Sequence, residues 1–302
     1  MIAVQMKILV TGANGFLGKS IVKELSKENT LFSLSRSSED YKVSLDNEIP
    51  VFIQKFDLVI HAAGKAHFVP NSRAENKQFF DVNVLGTRNL LQGLENTSLP
   101  EQFVFISSVA VYGKESGNLI SETEKVLAKD PYGQSKILAE ELVTTWCVKN
   151  KVICTILRLP LIAGRTPPGN LVSMIRGIEK GYYFNIAAGK SKKSMVLAQD
   201  IAAIIPKAAE IGGVYNLTDG YHPSFAELAE LISKQLGKTK PGNIPFWLAR
   251  TIAKFGDLFG TKAPLNSDKL KKITSDLTFD DSRARANLNW NPTPVLAAFK
   301  IN

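Results

Sequence analysis

A tyrosine and a lysine four positions apart carry the clearest chemical signal in this 302-residue sequence. In the segment DPYGQSK, Tyr132 and Lys136 share one face of a predicted helix, because side chains at i and i+4 lie on the same face. A phenol titrates far above neutrality, so a nearby ammonium is expected to stabilise its anion. Ser108, at the end of the apolar run FVFISS, supplies a hydroxyl that can hold the same oxygen. The three side chains predict proton exchange with a carbonyl or carbinol oxygen during hydride transfer.

Three glycines separate the first predicted strand from the first predicted helix. The segment KILVTGANGFLG places Gly12, Gly15 and Gly18 at this junction, where amide N–H groups and the positive helix end favour a pyrophosphate. Absent side chains let a ligand come close to the backbone. The spacing is GxxGxxG rather than the GxGxxG of the common dinucleotide fingerprint. The pattern predicts a dinucleotide site, and the alternative is a tight turn that only packs helix on strand.

The end of the second predicted strand bears on which dinucleotide binds. An NAD enzyme is expected to place a carboxylate there for the adenosine ribose. The chain instead reads SLSRSS, with Ser35 and Arg36 in the region, and a guanidinium beside two hydroxyls suits a 2′-phosphate. The pattern therefore favours NADP over NAD. The alternative is a solvated Arg36, with Glu39 or Asp40 serving the ribose of NAD.

Apolar runs and helical spacings alternate along the first half of the chain. This alternation predicts crossover units and a mostly parallel sheet. After Pro160 the pattern loosens, and Pro167, Pro168 and Gly169 break it. We therefore predict an α/β fold, with a Rossmann-type doubly wound parallel sheet and a smaller, discontinuous C-terminal lobe. The predicted strands and helices are Lys7–Thr11, 16–26, Thr30–Ser35, Phe56–His61, 75–96, Phe103–Ser107, 132–147, 152–157 and 213–217.

The same pattern predicts where the two parts of the chain divide. Residues 1–164 are expected to form the dinucleotide-binding domain, and residues 190–218 to return to it. Residues 165–189 and 219–302 are expected to form the substrate-binding lobe.

Composition narrows the classes of partner. The formal net charge is +9, but no compact basic block with interleaved aromatic residues indicates nucleic acid. Three histidines and two cysteines are too few to predict a metal cluster or a disulfide framework. No run reaches the length of a membrane span, and the first residues do not read as a signal peptide. We expect a cytoplasmic protein with a nucleotide ligand.

The chain resembles an extended short-chain dehydrogenase/reductase of the NAD-dependent epimerase/dehydratase family over essentially its whole length. The resemblance rests on TGANGFLG, HAAG at residues 61–64, VNVLGT around Asn83, SSVAVYG, YGQSK, LRLPLIAG and the terminal FDDSRARANLNW. It implies that Ser108, Tyr132 and Lys136 are catalytic. The cofactor-binding residues it implies are Gly12, Asn14, Gly15, Phe16, Leu17, Gly18, Ser35, Arg36, His61, Ala62, Ala63, Gly64, Asn83, Tyr132, Lys136 and Pro160.

The resemblance also implies residues that bind the substrate. Ser107, Asn170 in PPGNL and Lys193 in KKSMV are assigned to the substrate side, the last two facing its diphosphate. Lys193 departs from the family pattern, which usually shows Arg, and leaves a point charge in place of a bidentate fork. The alternatives are a capping role for Asn170 and a solvated Lys193. Dimerisation through two helices is common in the family, so a homodimer is expected.

Three reactions occur on this scaffold. Family members that dehydrate a hexose carry an Asp-Glu pair after the hydroxyl residue, whereas this chain has Val109 and Ala110, which argues against dehydration. The closest resemblance is to bacterial reductases of surface polysaccharide biosynthesis, which reduce the C4 ketone of a UDP-linked 4-keto-6-deoxy-N-acetylhexosamine with NADPH. The alternative is an NAD-dependent UDP-hexose or UDP-N-acetylhexosamine 4-epimerase. A non-catalytic nucleotide sensor is a more distant alternative, because Tyr132 and Lys136 are both present.

One further segment has the pattern of a helix that binds a membrane surface. Residues 244–262, IPFWLARTIAKFGDLFGTK, alternate large apolar side chains with basic ones, as interfacial helices do. The interpretation we favour at this point is that the apolar stripe packs against the substrate lobe or a dimer partner.

Overall fold

The computed structural model describes residues 5–66, 70, 72–165, 167 and 169–301, without the side chains of residues 261 and 262. The predicted breaker Pro168 lies outside the described residues. The strands are β1 (Lys7–Thr11), β2 (Thr30–Ser35), β3 (Tyr41–Lys42), β4 (Leu58–His61), β5 (Gln102–Ser108), β6 (Gly117–Ile120), β7 (Ile153–Leu159), β8 (Leu161–Ala163), β9 (Asn185–Ile186), β10 (Met195–Leu197), β11 (Gly213–Asn216), β12 (Asn243–Ile244) and β13 (Leu277–Phe279).

Helices connect most of these strands. Short non-α turns lie at Asp81–Leu85, a π-helix, and at Val109–Tyr112, Ala187–Gly189 and Asp257–Lys262, which are 3₁₀ helices. The α-helices are α1 (Phe16–Leu25), α2 (Arg73–Phe80), α3 (Gly86–Thr97), α4 (Pro131–Asn150), α5 (Asn170–Glu179), α6 (Ala198–Ile211), α7 (Phe225–Gln235), α8 (Phe246–Gly256), α9 (Ser267–Thr274), α10 (Ser282–Leu288) and α11 (Val295–Ala298).

Seven parallel strands form the central sheet in the order β11-β7-β5-β4-β1-β2-β3. The chain therefore builds outward from β1 on one side and then from β4 on the other. This reversal is the topological switch point of a doubly wound sheet, and ligands of such folds bind outside the carboxyl ends of the strands there. The predicted α/β fold with a doubly wound parallel sheet is confirmed.

Both faces of the sheet are covered, as the apolar composition of its strands requires. In β1, Ile8 and Val10 pack with α1 and α6 on one face, and Leu9 packs with α3 and α4 on the other. Successive side chains of a strand point to opposite faces, so each strand supplies both cores. The sheet, packed between helices on both faces, fixes the carboxyl ends of β1, β4 and β5 relative to one another.

The carboxyl-terminal part of the chain adds to the sheet and also builds smaller units. The predicted strand near residue 213 is β11, which pairs with β7, and α6 packs against α1 and β7. Three two-stranded pairs, β8 with β10, β9 with β12 and β6 with β13, lie outside the main sheet. The exact division into two domains stays a prediction. No described helix is both long enough and apolar enough to cross a membrane.

The predicted helix over residues 75–96 is interrupted. Its π-turn at Asp81–Leu85 joins α2 to α3 and contains Asn83. A π-turn adds a residue to one helical turn and rotates the side chains that follow. The interruption thereby turns Asn83 toward the loop after β4.

Candidate active site

Tyr132 and Ser108 meet at the carboxyl edge of the sheet. Asp130 caps α4 by accepting a hydrogen bond from the Gly133 N–H at 2.9 Å, which fixes where the helix begins. Ser108 ends β5 and caps the following 3₁₀ turn, accepting a bond from the Ala110 N–H at 3.2 Å. The Tyr132 hydroxyl lies close enough to the Ser108 side chain for that hydroxyl to lower the tyrosine pKa. The structure thus brings together two of the three predicted catalytic groups.

The Tyr132 hydroxyl is an uncharged proton donor at neutral pH. Burial raises its pKa above the usual 10.0, the nearby Asp130 carboxylate raises it further, and the Ser108 side chain opposes both. Its ring lies 5.9 Å from the ring of Phe79 between centroids. The lowering of the phenol pKa expected from a neighbouring ammonium is not observed among the described side chains.

The Lys136 ammonium does not lower the Tyr132 pKa, because it is hydrogen-bonded to the backbone of β5. The side chain is only 5% exposed, and its Nζ donates a hydrogen bond to the Ile106 carbonyl at 2.9 Å and lies 4.7 Å from the centre of the Phe105 ring. Burial lowers its pKa from 10.5 to about 8, and the Glu140 carboxylate opposes that shift. The ammonium is therefore tied to β5 and lies beneath Gly64, whose added Cβ would come within 3.3 Å of Nζ.

The glycine loop has the geometry of an anion site. Gly12 has φ +70°, and a Cβ there would lie 2.7 Å from the Ala63 nitrogen, so only glycine fits. A Cβ on Gly18 would lie 2.1 Å from the Gly12 carbonyl oxygen, which requires glycine for close packing of α1 on the loop. Exposed Gly15 begins α1, and no described side chain caps that helix. The first amides of α1 are left for a ligand.

The neighbours of this loop differ in what they can offer a cofactor. Leu17 is buried in the core, so it can contact a ligand mainly through its backbone. Phe16 is partly exposed, and its ring lies close to Gly164. Ala62, Ala63 and Gly64 follow β4 directly beside Gly12 and are partly or fully exposed. Pro160, partly exposed, follows β7 at the same sheet edge.

The loop after β2 presents a cluster of hydroxyls around an exposed arginine. The Asn14 amide donates hydrogen bonds to the hydroxyls of Ser35 at 3.0 Å and Ser37 at 2.9 Å. Arg36 lies between these serines with its side chain exposed, and no described carboxylate forms a salt bridge with it. Asp40 accepts bonds from the Ser33 N–H and hydroxyl, both at 2.8 Å. Asp40 is therefore already partnered, whereas Arg36 is available to an anion.

His61 is a buried structural residue. Its Nδ1 is 2.6 Å from the Thr11 hydroxyl and its Nε2 is 2.9 Å from the Thr87 hydroxyl. The Thr87 proton goes to the Asn83 carbonyl at 2.6 Å, so Thr87 must accept from Nε2–H, and Nδ1 must accept from Thr11. Burial, with the charge of Lys136, lowers the His61 pKa to about 3. The ring is neutral and only 1% exposed.

Asn83 is likewise occupied. Its side-chain oxygen accepts from the Lys65 N–H at 2.7 Å, and its amide donates to the Lys65 carbonyl at 3.1 Å and the Ser135 hydroxyl at 2.9 Å. It is 2% exposed. The side chains of both residues position the loop after β4, because their polar atoms are used internally, and the predicted cofactor role of His61 and Asn83 stays a prediction.

Ser107 belongs to a buried polar network rather than to the substrate surface. Its hydroxyl donates to Glu140 Oε1 at 2.5 Å, and Glu140 forms a two-point ion pair with Arg158 at 3.1 and 2.7 Å. Arg158 also donates to the Tyr112 hydroxyl at 3.2 Å, and that hydroxyl donates to Asn216 at 2.8 Å. The Ser107 side chain is 4% exposed and already bonded in this network, and its substrate contact stays a prediction.

Sequence reasoning missed this network. Glu140 lies four residues after Lys136 and eight after Tyr132, so the helical spacing places all three on one face of α4. That spacing was the available signal for Glu140. The sheet register, which places Ser107 and Asn216 on either side of Arg158, has no such signal in the sequence.

Lys193 and Asn170, the two residues predicted to contact the substrate diphosphate, have different surroundings in the structure. The Lys193 ammonium donates to the carbonyls of Lys272 and Ser275, both at 2.9 Å, and so it binds the carboxyl end of α9, where cations are favoured. Its substrate contact stays a prediction. Asn170 is the first residue of α5 and is exposed, and its substrate role stays a prediction. Among the described residues no group of His, Cys, Asp or Glu could hold a metal ion.

Comparisons with known proteins identify a family, relatives and solved structures that this chain resembles. A profile described as the NAD dependent epimerase/dehydratase family matches residues 8–217. UDP-glucose 4-epimerase of Vibrio cholerae is 29% identical, with 96% of this chain and 92% of that protein covered. GDP-6-deoxy-D-mannose reductase of Pseudomonas aeruginosa is 26% identical over 75% of this chain and 79% of its own length. The solved structure of RMD from Pseudomonas aeruginosa complexed with NADPH shares the fold, with TM-score 0.74, 22% identity and 98% and 96% coverage.

Proposed function

The chain belongs to the NAD dependent epimerase/dehydratase family, and from this premise we propose that it uses NADPH to reduce the C4 ketone of a UDP-linked 4-keto-6-deoxy-N-acetylhexosamine. The observation that carries the proposal is the uncharged Tyr132 hydroxyl, which lies next to Ser108 at the sheet edge beside the glycine loop. A protonated phenol suits reduction, in which the ketone oxygen must gain a proton.

The chain's own groups account for the proton side of the reaction. A bound NADPH supplies the hydride to C4 of the sugar. Ser108 and Tyr132 hold the ketone oxygen by hydrogen bonds, and Tyr132 transfers its proton to that oxygen as negative charge develops. Lys136, whose pKa of about 8 keeps it mostly protonated at neutral pH, is one helical turn away and stabilises the phenolate once its ammonium leaves the Ile106 carbonyl. Solvent returns the proton to Tyr132.

The surroundings of Arg36 support NADPH over NADH. Arg36 is exposed and lies in the sequence between Ser35 and Ser37, whose hydroxyls both accept hydrogen bonds from the Asn14 amide. Asp40, one of the two carboxylates that could serve an NAD ribose, is bonded to Ser33. An anionic 2′-phosphate would meet one cation and several donors in this loop.

The UDP-sugar class is supported by the relatives and by one residue of the chain. UDP-glucose is the substrate named for the Vibrio cholerae relative that covers nearly the whole chain. Asn170 is exposed at the start of α5 and is available to the diphosphate, whereas Lys193 would first have to leave the carbonyls of Lys272 and Ser275. Val109 and Ala110 after Ser108 offer no acid or base for dehydration.

A 4-epimerase with tightly held NAD is the second candidate, favoured by the length of the match to the Vibrio cholerae epimerase. Epimerisation uses the same tyrosine and returns the hydride to the opposite face of the transient ketone. It differs in that the cofactor is neither consumed nor released.

Isotope transfer distinguishes the two reactions. We would supply NADPH with both hydrogens at the nicotinamide C4 replaced by deuterium, together with the UDP-linked 4-ketosugar or, in a parallel reaction, a UDP-hexose, and measure the product mass. Reduction predicts one deuterium in each product molecule and one NADPH consumed. Epimerisation predicts interconversion of UDP-hexoses without added reductant and without deuterium uptake. Binding of NADPH with neither reaction would instead indicate the nucleotide sensor.

We also propose a cytoplasmic homodimer that forms through α3 and α4. A surface groove between these helices is lined by Leu91, Leu138, Leu142 and the edge of Trp146, and Leu138 is exposed. The Trp146 Nε1 is buried without a hydrogen-bond partner among the described atoms. Light scattering that shows a monomer at micromolar concentration would refute the dimer.

A further inference from the structure

The helix α8 buries its small residues and exposes its large ones. Ala249, Ala253 and Gly256 face the protein and are buried. A Cβ on Gly256 would lie 1.9 Å from the Leu265 carbonyl oxygen, so the helix can approach this closely only because its inner face is small. An ordinary surface helix turns its large apolar side chains inward. The inner face of α8 leaves no room for them.

The outer face of α8 continues into the following 3₁₀ turn. Trp247 and Phe255 are 69% and 67% exposed, and Leu258 and Phe259 are 81% and 72% exposed. The stripe is therefore not packed against the substrate lobe of its own chain, which leaves the dimer partner as the other interpretation that the sequence favoured. We call these residues the apolar face, together with Leu248 and Ile252. A contiguous exposed apolar group of this kind marks a binding surface rather than a folding requirement.

The charge of the surrounding segment is strongly positive. Residues 234–272 contain nine lysines and arginines and two aspartates, a net charge of +7 out of +9 for the whole chain. Arg250 and Lys254 on α8 are exposed. By helical geometry they follow Trp247 by three and seven residues and lie along one side of the apolar face. The same surface thus offers apolar side chains to a nonpolar layer and cations to its anionic boundary.

We propose that the apolar face of α8 and the turn after it bind the surface of an anionic phospholipid membrane. Aromatic side chains enter the boundary between headgroups and acyl chains, while Arg250 and Lys254 contact lipid phosphates. A second copy of this chain is disfavoured as the occupant, because a symmetric contact would place two strongly positive segments against each other. The inference does not depend on the proposed reaction.

The tryptophans allow a direct measurement. Of the three in the sequence, Trp146 and Trp290 are 7% and 4% exposed, so Trp247 dominates any change of emission on binding. We expect vesicles of phosphatidylcholine and phosphatidylglycerol to shift the emission to shorter wavelength and to sediment the full-length protein. We expect the binding to weaken as salt is added, because exposed charges are screened. Vesicles of phosphatidylcholine alone are expected to bind much less.

A matched pair of double variants tests the face itself. Trp247→Gln with Phe255→Gln is expected to weaken sedimentation with anionic vesicles by about tenfold or more, from the lost apolar burial. Val51→Gln with Ile53→Gln removes two side chains that are 79% and 88% exposed elsewhere, and is expected to bind vesicles like the unchanged protein. Circular dichroism checks that both variants are folded.

Three outcomes would overturn the proposal. The first is that anionic vesicles at low salt neither sediment the protein nor shift its emission. The second is an equal loss of vesicle binding in both double variants. The third is that the Trp247 and Phe255 variant reduces the oligomer size of a protein that does not bind vesicles, which would assign the face to a subunit contact.

Discussion

The edge of the sheet around His61 and the surface of α8 use their side chains in opposite ways. At the sheet edge, polar side chains are buried and bonded to one another, as in the chain from Thr11 through His61 to Thr87. On α8, Trp247 and Phe255 are exposed although both are strongly apolar. The difference shows that residue type alone does not mark a ligand contact. A side chain is available to a ligand when the fold leaves its groups without a partner.

The candidate active site also contains both enclosed and accessible side chains. Ser107, His61 and Asn83 are enclosed and bonded, and they hold the loops and strands in place. Arg36 is open to solvent, and the Tyr132 hydroxyl lies next to Ser108 at the edge of the sheet. Substitutions in the first group should therefore cost stability, and substitutions in the second should cost function.

Tyr132→Phe should reduce turnover by about 10²–10⁴-fold, because it removes the proton donor. The phenyl ring keeps its contact with Phe79, so we expect NADPH binding and the melting temperature to change little. Steady-state kinetics on the UDP-linked 4-ketosugar and a thermal melt measure the two effects. Unchanged turnover would show that another group supplies the proton.

Glu140→Gln should lower the free energy of unfolding by about 3–5 kcal/mol, since it leaves the buried Arg158 without its counter-charge. Urea unfolding measures this loss. Glu141→Gln, at an exposed position next along α4, is the control and should stay within about 0.5 kcal/mol of the unchanged protein. Equal effects of the two substitutions would show that the buried pair does not stabilise the fold.

Lys136→Met should abolish turnover yet stabilise the protein at neutral pH. Burial lowers the lysine pKa from 10.5 to about 8, which costs the charged form about 3 kcal/mol. Replacing the lysine also removes its hydrogen bond to the Ile106 carbonyl, which costs about 1 kcal/mol. The net increase in the free energy of unfolding is therefore about 2 kcal/mol.

The pH dependence of that gain follows from linkage. Between pH 8 and 10.5 the unfolded chain binds the lysine proton more tightly than the folded one, so the unchanged protein gains stability as pH rises through this window. The difference between variant and unchanged protein should therefore shrink from pH 7 to about pH 10. A constant difference in urea unfolding would contradict the burial of a charged Lys136.

Arg36→Gln should reduce the preference for NADPH over NADH by about tenfold or more, from the loss of a charge-assisted contact with the 2′-phosphate. Calorimetric titration with each cofactor measures the ratio. Arg88→Gln, also at an exposed position, is the control. If Arg36→Gln keeps the ratio unchanged, Arg36 is solvated and the NAD alternative is favoured.

Trp247→Gln with Phe255→Gln should change the free energy of unfolding by no more than about 0.5 kcal/mol, because exposed side chains contribute little to folding. Phe56→Ala, at a position 1% exposed, should cost about 3–5 kcal/mol by comparison. Chemical denaturation of the double variant and of Phe56→Ala compares how much the surface of α8 and the core contribute to the free energy of unfolding. A large loss in the double variant would show that the apolar face packs within the protein.

Local patterns predicted much of the molecule. The glycine loop was predicted because the conformation of Gly12 and the close packing of Gly18 depend on neighbours near in sequence. Tyr132 and Lys136 were placed on one helix face by their spacing. The helix over residues 75–96 was only partly right, because the π-turn that contains Asn83 has no clear pattern of its own.

Amino-acid order alone determined the alternation of strands and helices, the anion loop and the amphipathic character of α8, because each depends on residues a few positions apart. Only the tertiary structure decided that Ser107 meets Glu140, that Lys193 binds the end of α9, and that α8 turns its small face inward. These outcomes depend on which distant backbone lies alongside. Sheet register and helix packing set those neighbours, and the identity of one residue does not encode them.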